Sequence, residues 1–281
     1  MSLKTPSHQA LLSARISVRY SEKQPVLREV EMEIHHGEVL GLVGQSGSGK
    51  STLAMAILGL LDKKRVKAEG SIRFQDSDLL LLSERELREL RGRAISLVLQ
   101  SPLSSLNPAL KIRTQLKEAW RAHASGTGAD CATAIRASLQ SVSLPSDDEF
   151  QRKYPSQMSV GQAQRVLIAM AILHRPALLI ADEATSALDV ITQSEILALF
   201  RELNRSTGMA ILYISHDLAS VAGICDRIAI LHQGSIVESG TTEQIFSQPQ
   251  HEYTQRLMAA LPRILTESTP LGIKTSAAAG L

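Results

Sequence analysis

The chain has no long apolar run. Its longest one, Val166–Leu173, is cut off from the next, Ala177–Ala181, by His174-Arg175-Pro176, whereas a bilayer-spanning helix needs about 20 mostly apolar residues in sequence. A spanning helix is excluded, and any role at a membrane is expected to come through partner chains. The N-terminus lacks an apolar stretch with a small-residue cleavage site and does not read as a signal peptide. Cysteine is nearly missing: Cys131 and Cys225 are the only two, far apart and not in a C-x-x-C pair. Two buried thiols in a reducing compartment are expected, not a disulfide. An excess of one charge is missing as well. Thirty Lys and Arg against 28 Asp and Glu leave a formal charge of +2, too weak a field to recruit nucleic acid or an acidic membrane. No repeat is visible at the periods of about 20–50 residues that mark solenoids and propellers.

What is present reads as a mixed α/β chain. Its 281 residues suffice for one large α/β domain with a smaller lobe, or for two small domains. Leu11–Tyr20 and Pro25–Ile34 carry short β-branched runs broken by polar residues and predict antiparallel strands. Val39–Val43 predicts a short buried strand, followed by a Gly/Ser loop and an apolar helix over Ser51–Leu61. Gly70–Phe74 predicts another strand. Ser83 with Glu86 forms a capping-box pattern that opens a charged helix running to about Arg91. Ala94–Leu99 predicts a strand ending at Gln100.

Residues 103–157 change character: they are polar, are broken by Ser/Gly/Asp-rich stretches, and contain one helix with Ile112, Leu116 and Trp120 at i, i+4, i+8. This stretch is expected to form a helical lobe inserted into the sheet domain, with Trp120 in its core. From Ser159 onward, helix and strand alternate. Val166–Leu173 ends a helix, Leu178–Ala181 is a buried strand, Ile196, Leu199, Phe200 and Leu203 make a helical stripe that stops at Gly208, and Ala210–Ile214 is a strand. Such alternation implies parallel βαβ units in one sheet. Beyond about Glu267 the composition turns to Thr, Ser and Ala, and a frayed tail is expected.

Gly44-Gln45-Ser46-Gly47-Ser48-Gly49-Lys50-Ser51 fits G-x-x-x-x-G-K-[ST], between a predicted strand and a predicted helix beginning at Ser51-Thr52. The glycines let the backbone fold tightly, so that successive N–H groups point inward at phosphate oxygens. The helix N-terminus adds partial positive charge there. Lys50 is placed to reach the β- and γ-phosphates, and the Ser51 hydroxyl to ligate Mg²⁺. Leu178–Ala181 then leads into Asp182-Glu183. An acid at the carboxyl end of a parallel strand lies at the crevice where ligands bind. Asp182 suits the Mg²⁺, and Glu183 suits orienting and deprotonating the attacking water.

With these motifs in place, residues 11–262 resemble the nucleotide-binding subunits of ABC transporters. The decisive segment is Met158-Ser159-Val160-Gly161-Gln162-Ala163-Gln164-Arg165, which is similar to the family's L-S-G-G-Q-x-Q-R signature. Ser186-Ala187-Leu188-Asp189 resembles the D-loop, His216 the switch histidine, Gln100 the Q-loop glutamine, and Tyr20 the aromatic that stacks on adenine. The resemblance implies a P-loop ATPase core with a parallel sheet, an N-terminal antiparallel β part and the inserted lobe at about 103–157, followed by a tail over 263–281. It implies ATP and Mg²⁺ as ligands, with the cation among Ser51, Asp182 and Gln100. It further implies that Ser159, Gly161, Gln162 and Asp189 close over the γ-phosphate held by a second ATPase subunit, homo- or heteromeric. Val160 stands where the family usually has Gly, and Ala184 where it often has Pro. The β-branched Val160 is expected to weaken the ATP site that this signature completes.

A narrower resemblance points to the oligopeptide, dipeptide and nickel importers. Gln100-Ser101-Pro102-Leu103-Ser104-Ser105-Leu106-Asn107-Pro108 resembles their Q-D-P-x-x-S-L-N-P stretch, with Ser101 for Asp. Gln248–Leu257 resembles their P-x-H-P-Y-T-x-x-L segment, with Glu252 for Pro. This implies an importer of peptides, nickel or related metal chelates, built with two transmembrane permease subunits and an extracytoplasmic substrate-binding protein. It places the chain on the cytoplasmic face of the cell membrane, with no nucleic acid as partner. In this resemblance the lobe docks a short permease helix, which Gln100 links to the Mg²⁺ site. The alternative is a soluble or exporter-type ABC ATPase. Only one phosphate loop is present, and the stretch between Ser51 and Ser159 shows no sustained heptads, against the two-cassette translation type and the coiled-coil repair type.

Overall fold

The computed structural model describes residues 10–20 and 24–260. The expected C-terminal tail from 263 lies outside them. The chain opens with β1 (Ala10–Tyr20) and β2 (Pro25–His35), then β3 (Val39–Val43), α1 (Lys50–Ile57), β4 (Val66–Phe74), the two-residue β5 (Ser77–Asp78), α2 (Glu84–Leu90) and β6 (Ile95–Val98). A helical stretch follows: α3 (Pro102–Ser105), α4 (Ile112–Arg121), α5 (Gly128–Ser141), α6 (Asp148–Gln151), a 3₁₀ turn at Pro155–Gln157 and α7 (Val160–Ile172). The chain then runs through β7 (Leu178–Asp182), α8 (Val190–Thr207), β8 (Ala210–Ser215), α9 (Leu218–Ile224), β9 (Arg227–His232), β10 (Ser235–Thr241), α10 (Thr242–Ser247) and α11 (Glu252–Ala259).

The strands form two sheets. One is antiparallel, ordered β2-β1-β4-β5; the other is ordered β10-β9-β3-β8-β7-β6 and is parallel except for the β9–β10 pair. The parallel strands are buried on both faces, and their alternation splits the core in two. Leu178, Ile180, Leu212, Ile214, Leu40 and Leu42 face α1 and the antiparallel sheet. Leu179, Ala181, Ile211, Tyr213, Ile228 and Ile230 face the opposite side, with Ile196, Phe200 and Val221 of α8 and α9. This period-two exchange of faces explains why the strands read as continuous apolar runs in the sequence.

Several elements differ from the expected ones. The first helix ends four residues earlier than predicted, at Ile57. Gly59 takes a left-handed φ of 62°; Gly59 N–H donates to Ala56 O and Leu60 N–H to Met55 O, a two-bond helix stop available at low cost only to glycine. The Arg91 guanidinium seals it, donating to Leu58 O at 2.6 Å and Gly59 O at 2.8 Å. β4 begins at Val66, earlier than predicted, because it pairs along β1 as far as Tyr20.

The inserted stretch holds more helix than the one element expected. α5 is present, capped by Thr127, which exchanges hydrogen bonds with Asp130. Cys131, Ile135 and Leu139 form its buried stripe. These side chains, with Ile112, Leu116 and the buried Trp120, join the same apolar cluster as Val166 and Ala169 of α7. The lobe is thus packed onto the sheet's helical face through α7. Both cysteines are buried free thiols.

Candidate functional site

Strand register sets the site. Val43 of β3 lies beside Ser215 of β8 and Ile230 of β9; Ile214 lies beside Asp182 of β7; Ala181 lies beside Val98 of β6. The carboxyl ends of four parallel strands therefore deliver the Gly44 loop, His216, Asp182-Glu183 and Gln100 to one edge of the sheet, the crevice where ligands bind in open α/β sheets.

The loop is held from behind. A Cβ on Gly44 would lie 2.2 Å from Leu231 O and 2.7 Å from Ser48 Oγ, and one on Gly49, whose φ is 111°, would lie 2.6 Å from Leu27 Cδ2 of β2. These contacts exclude any larger residue and press the loop against β9 and the antiparallel sheet. Gln45, Ser46 and Gly47 are exposed at the tip, while Ser48, Gly49 and Lys50 are buried. Gly49 caps α1 without a side-chain hydrogen bond, so the first amides of the helix stay open toward an anion. Lys50 Nζ donates to Gly44 O at 2.7 Å and Gln45 O at 3.1 Å, holding the loop curled around its ammonium. Burial pushes the Lys50 pKa down, opposed by the charges of Glu183 and Asp182.

Asp182 ends β7 in the interior. Burial pushes its carboxyl above the usual carboxylate range; the Ser51 hydroxyl opposes the shift, Glu183 adds to it and Lys50 opposes it. Its Oδ1 is buried with no hydrogen-bond partner. Glu183 follows in a left-handed conformation, φ 49°, a costly setting for a non-glycine residue that persists only when its surroundings hold it. Its N–H donates to Ile214 O at 3.0 Å. Its Oε1 lies 3.4 Å from His216 Nδ1 and 3.9 Å from Lys50 Nζ. One carboxylate thus stands between the loop lysine and the histidine after β8, and all three side chains come from segments far apart in sequence. The His216 side chain is 57% exposed and faces outward, where a reacting group could sit.

These residues fit a triphosphate with Mg²⁺. An unpartnered buried carboxylate oxygen, a serine hydroxyl and a glutamine carbonyl are the hard oxygen donors that Mg²⁺ prefers. Among the described residues no group of three His, Cys, Asp or Glu side chains could hold a metal. Gln100 is exposed, two residues beyond the end of β6. Thr52 is half-buried in the first turn of α1.

The remaining expected residues form a second group. Ser159 caps α7: Gln162 N–H donates to Ser159 Oγ at 3.1 Å, and Ser159 N–H donates to Gln162 Oε1 at 3.2 Å. Asp189 caps α8, accepting from Ile191 N–H, Thr192 N–H and the Thr192 hydroxyl. The two caps touch, since a Cβ on Gly161 would lie 2.8 Å from Thr192 Cγ2. No hydrogen bond or ion pair among the described residues joins this group to the first. Tyr20 sits at the last pair of β1 and β4, 37% exposed, near the start of β2 where Leu27 meets Gly49. Sequence reasoning missed a chain of hydroxyls on Thr185, Tyr213, Ser215 and Ser220. Its only signal was polar residues inside otherwise apolar stretches.

The fold and site define a P-loop nucleoside-triphosphatase. The ABC transporter family profile matches residues 27–186, and a second profile, the oligopeptide/dipeptide transporter C-terminal region, matches residues 237–279. The dipeptide transport ATP-binding protein DppD of Haemophilus influenzae is 43% identical over 258 residues, covering 90% of this chain and 78% of that protein. The oligopeptide transport ATP-binding protein OppD of the same organism is 44% identical over 241 residues, covering 85% and 73%. Among solved structures, the ATP-binding cassette MJ0796, a dimer in a post-hydrolysis state bound to ADP and Pi, superposes with a TM-score of 0.70 at 26% identity, covering 82% of this chain and 98% of that one. CbiO1 of Clostridium perfringens, part of the ABC transporter complex cbiONQ, superposes with a TM-score of 0.74 at 26% identity, covering 91% and 97%. The chain belongs to the ATP-hydrolysing cassettes of the ABC transporter family.

Proposed function

We propose that this chain powers the import of peptides across a membrane by hydrolysing ATP on its cytoplasmic face, together with a second ATPase subunit, two permease subunits and an extracytoplasmic substrate-binding protein. The observation that carries the reading is the pairing within one chain of an ABC cassette at 27–186 with an oligopeptide/dipeptide transporter C-terminal region at 237–279. Among the described residues no helix is long and apolar enough to cross a membrane, which agrees with attachment through permeases.

In this reading the cassette spans 11–262. Tyr20 receives the adenine ring, Gly44–Ser51 and Thr52 hold the phosphates, and Ser51, Asp182 and Gln100 hold Mg²⁺, which supplies charge neutralisation at the transferred phosphoryl group. Lys50 adds a fixed positive charge beside that group. Glu183 orients the attacking water and takes its proton, and His216 holds the γ-phosphate or the water; catalysis is mostly positioning and charge stabilisation. Ser159, Gly161, Gln162 and Asp189 serve the ATP held by the other subunit. Val190 and Ile191, 82% and 74% exposed beside Asp189, support a protein contact there, because exposed apolar pairs mark interaction surfaces. Leu103 and Tyr154, 45% and 36% exposed, support docking of a permease segment on the lobe at 103–157.

Isolation of the intact complex from membranes tests the assignment. It is expected to contain two permeases and a binding protein, with ATP turnover raised by peptide-loaded binding protein and abolished by Lys50→Ala or Glu183→Gln. Stimulation by nickel or a metal chelate instead would replace the cargo. A chain without permeases, whose turnover depends on nucleic acid, would overturn the function.

A further inference from the structure

A run of buried hydroxyls lies behind the turn that carries Glu183. Thr185, 3% exposed, and Tyr213, fully buried in β8, bond through Thr185 Oγ1 and the Tyr213 hydroxyl at 2.9 Å. The Tyr213 hydroxyl also reaches Ser220 Oγ, at a long 3.5 Å. Ser220 Oγ donates to Asp217 O at 2.8 Å and lies 3.3 Å from Ser215 Oγ, which accepts from Asp217 N–H at 2.9 Å. One end of the run is two residues past Glu183; the other surrounds His216, between Ser215 and Asp217. Burial pushes the Tyr213 phenol pKa up, so the group stays protonated and able to donate at neutral pH.

The backbone explains why such a tie is needed. Glu183 is held with φ 49°, and the loop after it turns at once: Ser186 N–H and the Ser186 hydroxyl both donate to Glu183 O at 3.1 Å, and Leu188 N–H donates to Thr185 O at 3.1 Å. These bonds are internal to the loop. Two ties anchor it to β8: Glu183 N–H to Ile214 O, and the Thr185–Tyr213 bond. The second is the only side-chain hydrogen bond from this turn to the sheet among the described residues.

We propose that Tyr213 is a positioning residue for ATP hydrolysis. Through Thr185 it fixes the turn that aims the Glu183 carboxylate toward His216, and through Ser220 it ties that turn to the loop carrying His216. The inference rests on the proposed role of Glu183.

Steady-state ATP turnover by the full-length chain in its transporter complex tests it, with Glu183→Gln run in parallel. Tyr213→Phe keeps the ring and removes only the hydroxyl. It is expected to lower kcat by about ten- to a hundredfold, the scale of a small misplacement of a catalytic group, while KM for ATP stays within about twofold. Thr185→Val is expected to do the same, and Thr185→Ser, which keeps a hydroxyl, to restore most of the rate. The double variant Tyr213→Phe/Thr185→Val leaves no orphaned hydroxyl at this contact and regains thermal stability, but its kcat is expected to stay low. A native kcat in Tyr213→Phe, a rise in KM alone, or a double variant that regains kcat with its stability would each overturn the inference. Native turnover by Glu183→Gln would instead show that the base assignment has failed.

Discussion

Gly161 offers a direct test of how the two helix caps are built. A Cβ placed there lies 2.8 Å from Thr192 Cγ2, against about 3.5–4.0 Å for a relaxed carbon–carbon contact. Thr192 is not free to turn away, because its hydroxyl donates to Asp189 Oδ2 at 2.7 Å and its N–H to Asp189 Oδ1 at 3.0 Å. Gly161→Ala therefore overpacks a fixed contact, costing about 1–3 kcal/mol, while alanine returns up to about 1 kcal/mol of helix propensity. The net expectation is a loss of about 0–3 kcal/mol, a fall in Tm of up to about 12 °C at about 2–4 °C per kcal/mol. Thr192→Ser removes Cγ2 and keeps the capping hydroxyl. In that background Gly161→Ala becomes neutral or stabilising, so the two substitutions couple by about 1–3 kcal/mol. Thermal and urea unfolding of the native chain, both single variants and the double variant measure the coupling. Because alanine keeps the N–H of residue 161, ATP turnover is expected to return with stability in the double variant. Effects that add to within about 0.3 kcal/mol would refute the packing argument. A stable double variant without turnover would show instead that glycine is needed for a close approach from outside the chain.

Two further outcomes are expected. Burial, then the edge-on His174 ring at 5.4 Å, push the His123 pKa below its ordinary 6.5, with Glu89 pulling the other way and Arg93 adding to the depression. The unfolded chain therefore binds this proton more readily, so the contribution is present above about pH 6.5 and is lost as pH falls; Tm is expected to drop less between about pH 7.5 and 5 in His123→Gln than in the native chain. Tyr253 stacks on His232 with centroids 3.7 Å apart, and its buried hydroxyl has no partner. Urea unfolding of Tyr253→Phe is thus expected to show unchanged stability or a gain of up to about 1 kcal/mol, whereas a loss of that size would reveal a bond to the hydroxyl.

Local chemistry was legible without coordinates wherever a short segment determines its own conformation. The loop glycines before Lys50, the Ser83/Glu86 capping box, the alternation of β1 and the stop at Gly208 all follow from propensities that act over a few residues. α5 was not expected because Cys131, Ile135 and Leu139 are diluted by Ala, Ser and Thr, and the stripe shows as apolar only when packed against α7. The sequence reading also places no element after Ile214. α9, β9, β10, α10 and α11 are short, and β9 joins the sheet beside β3, where Arg227 pairs with Leu40, 187 positions before it in the chain.

The sequence by itself determined the phosphate loop, the acidic strand end and the serine-capped helix, because each is a contiguous motif whose backbone geometry its own residues impose. Only the tertiary structure decided that Glu183 stands between Lys50 and His216, that Thr185 is tied to Tyr213, and that Gly161 packs against Thr192. Those contacts depend on the order β9-β3-β8-β7-β6, which brings residues far apart in the chain into register. Period-two alternation tells each strand which faces to bury, but it carries no information about which strand will lie beside it.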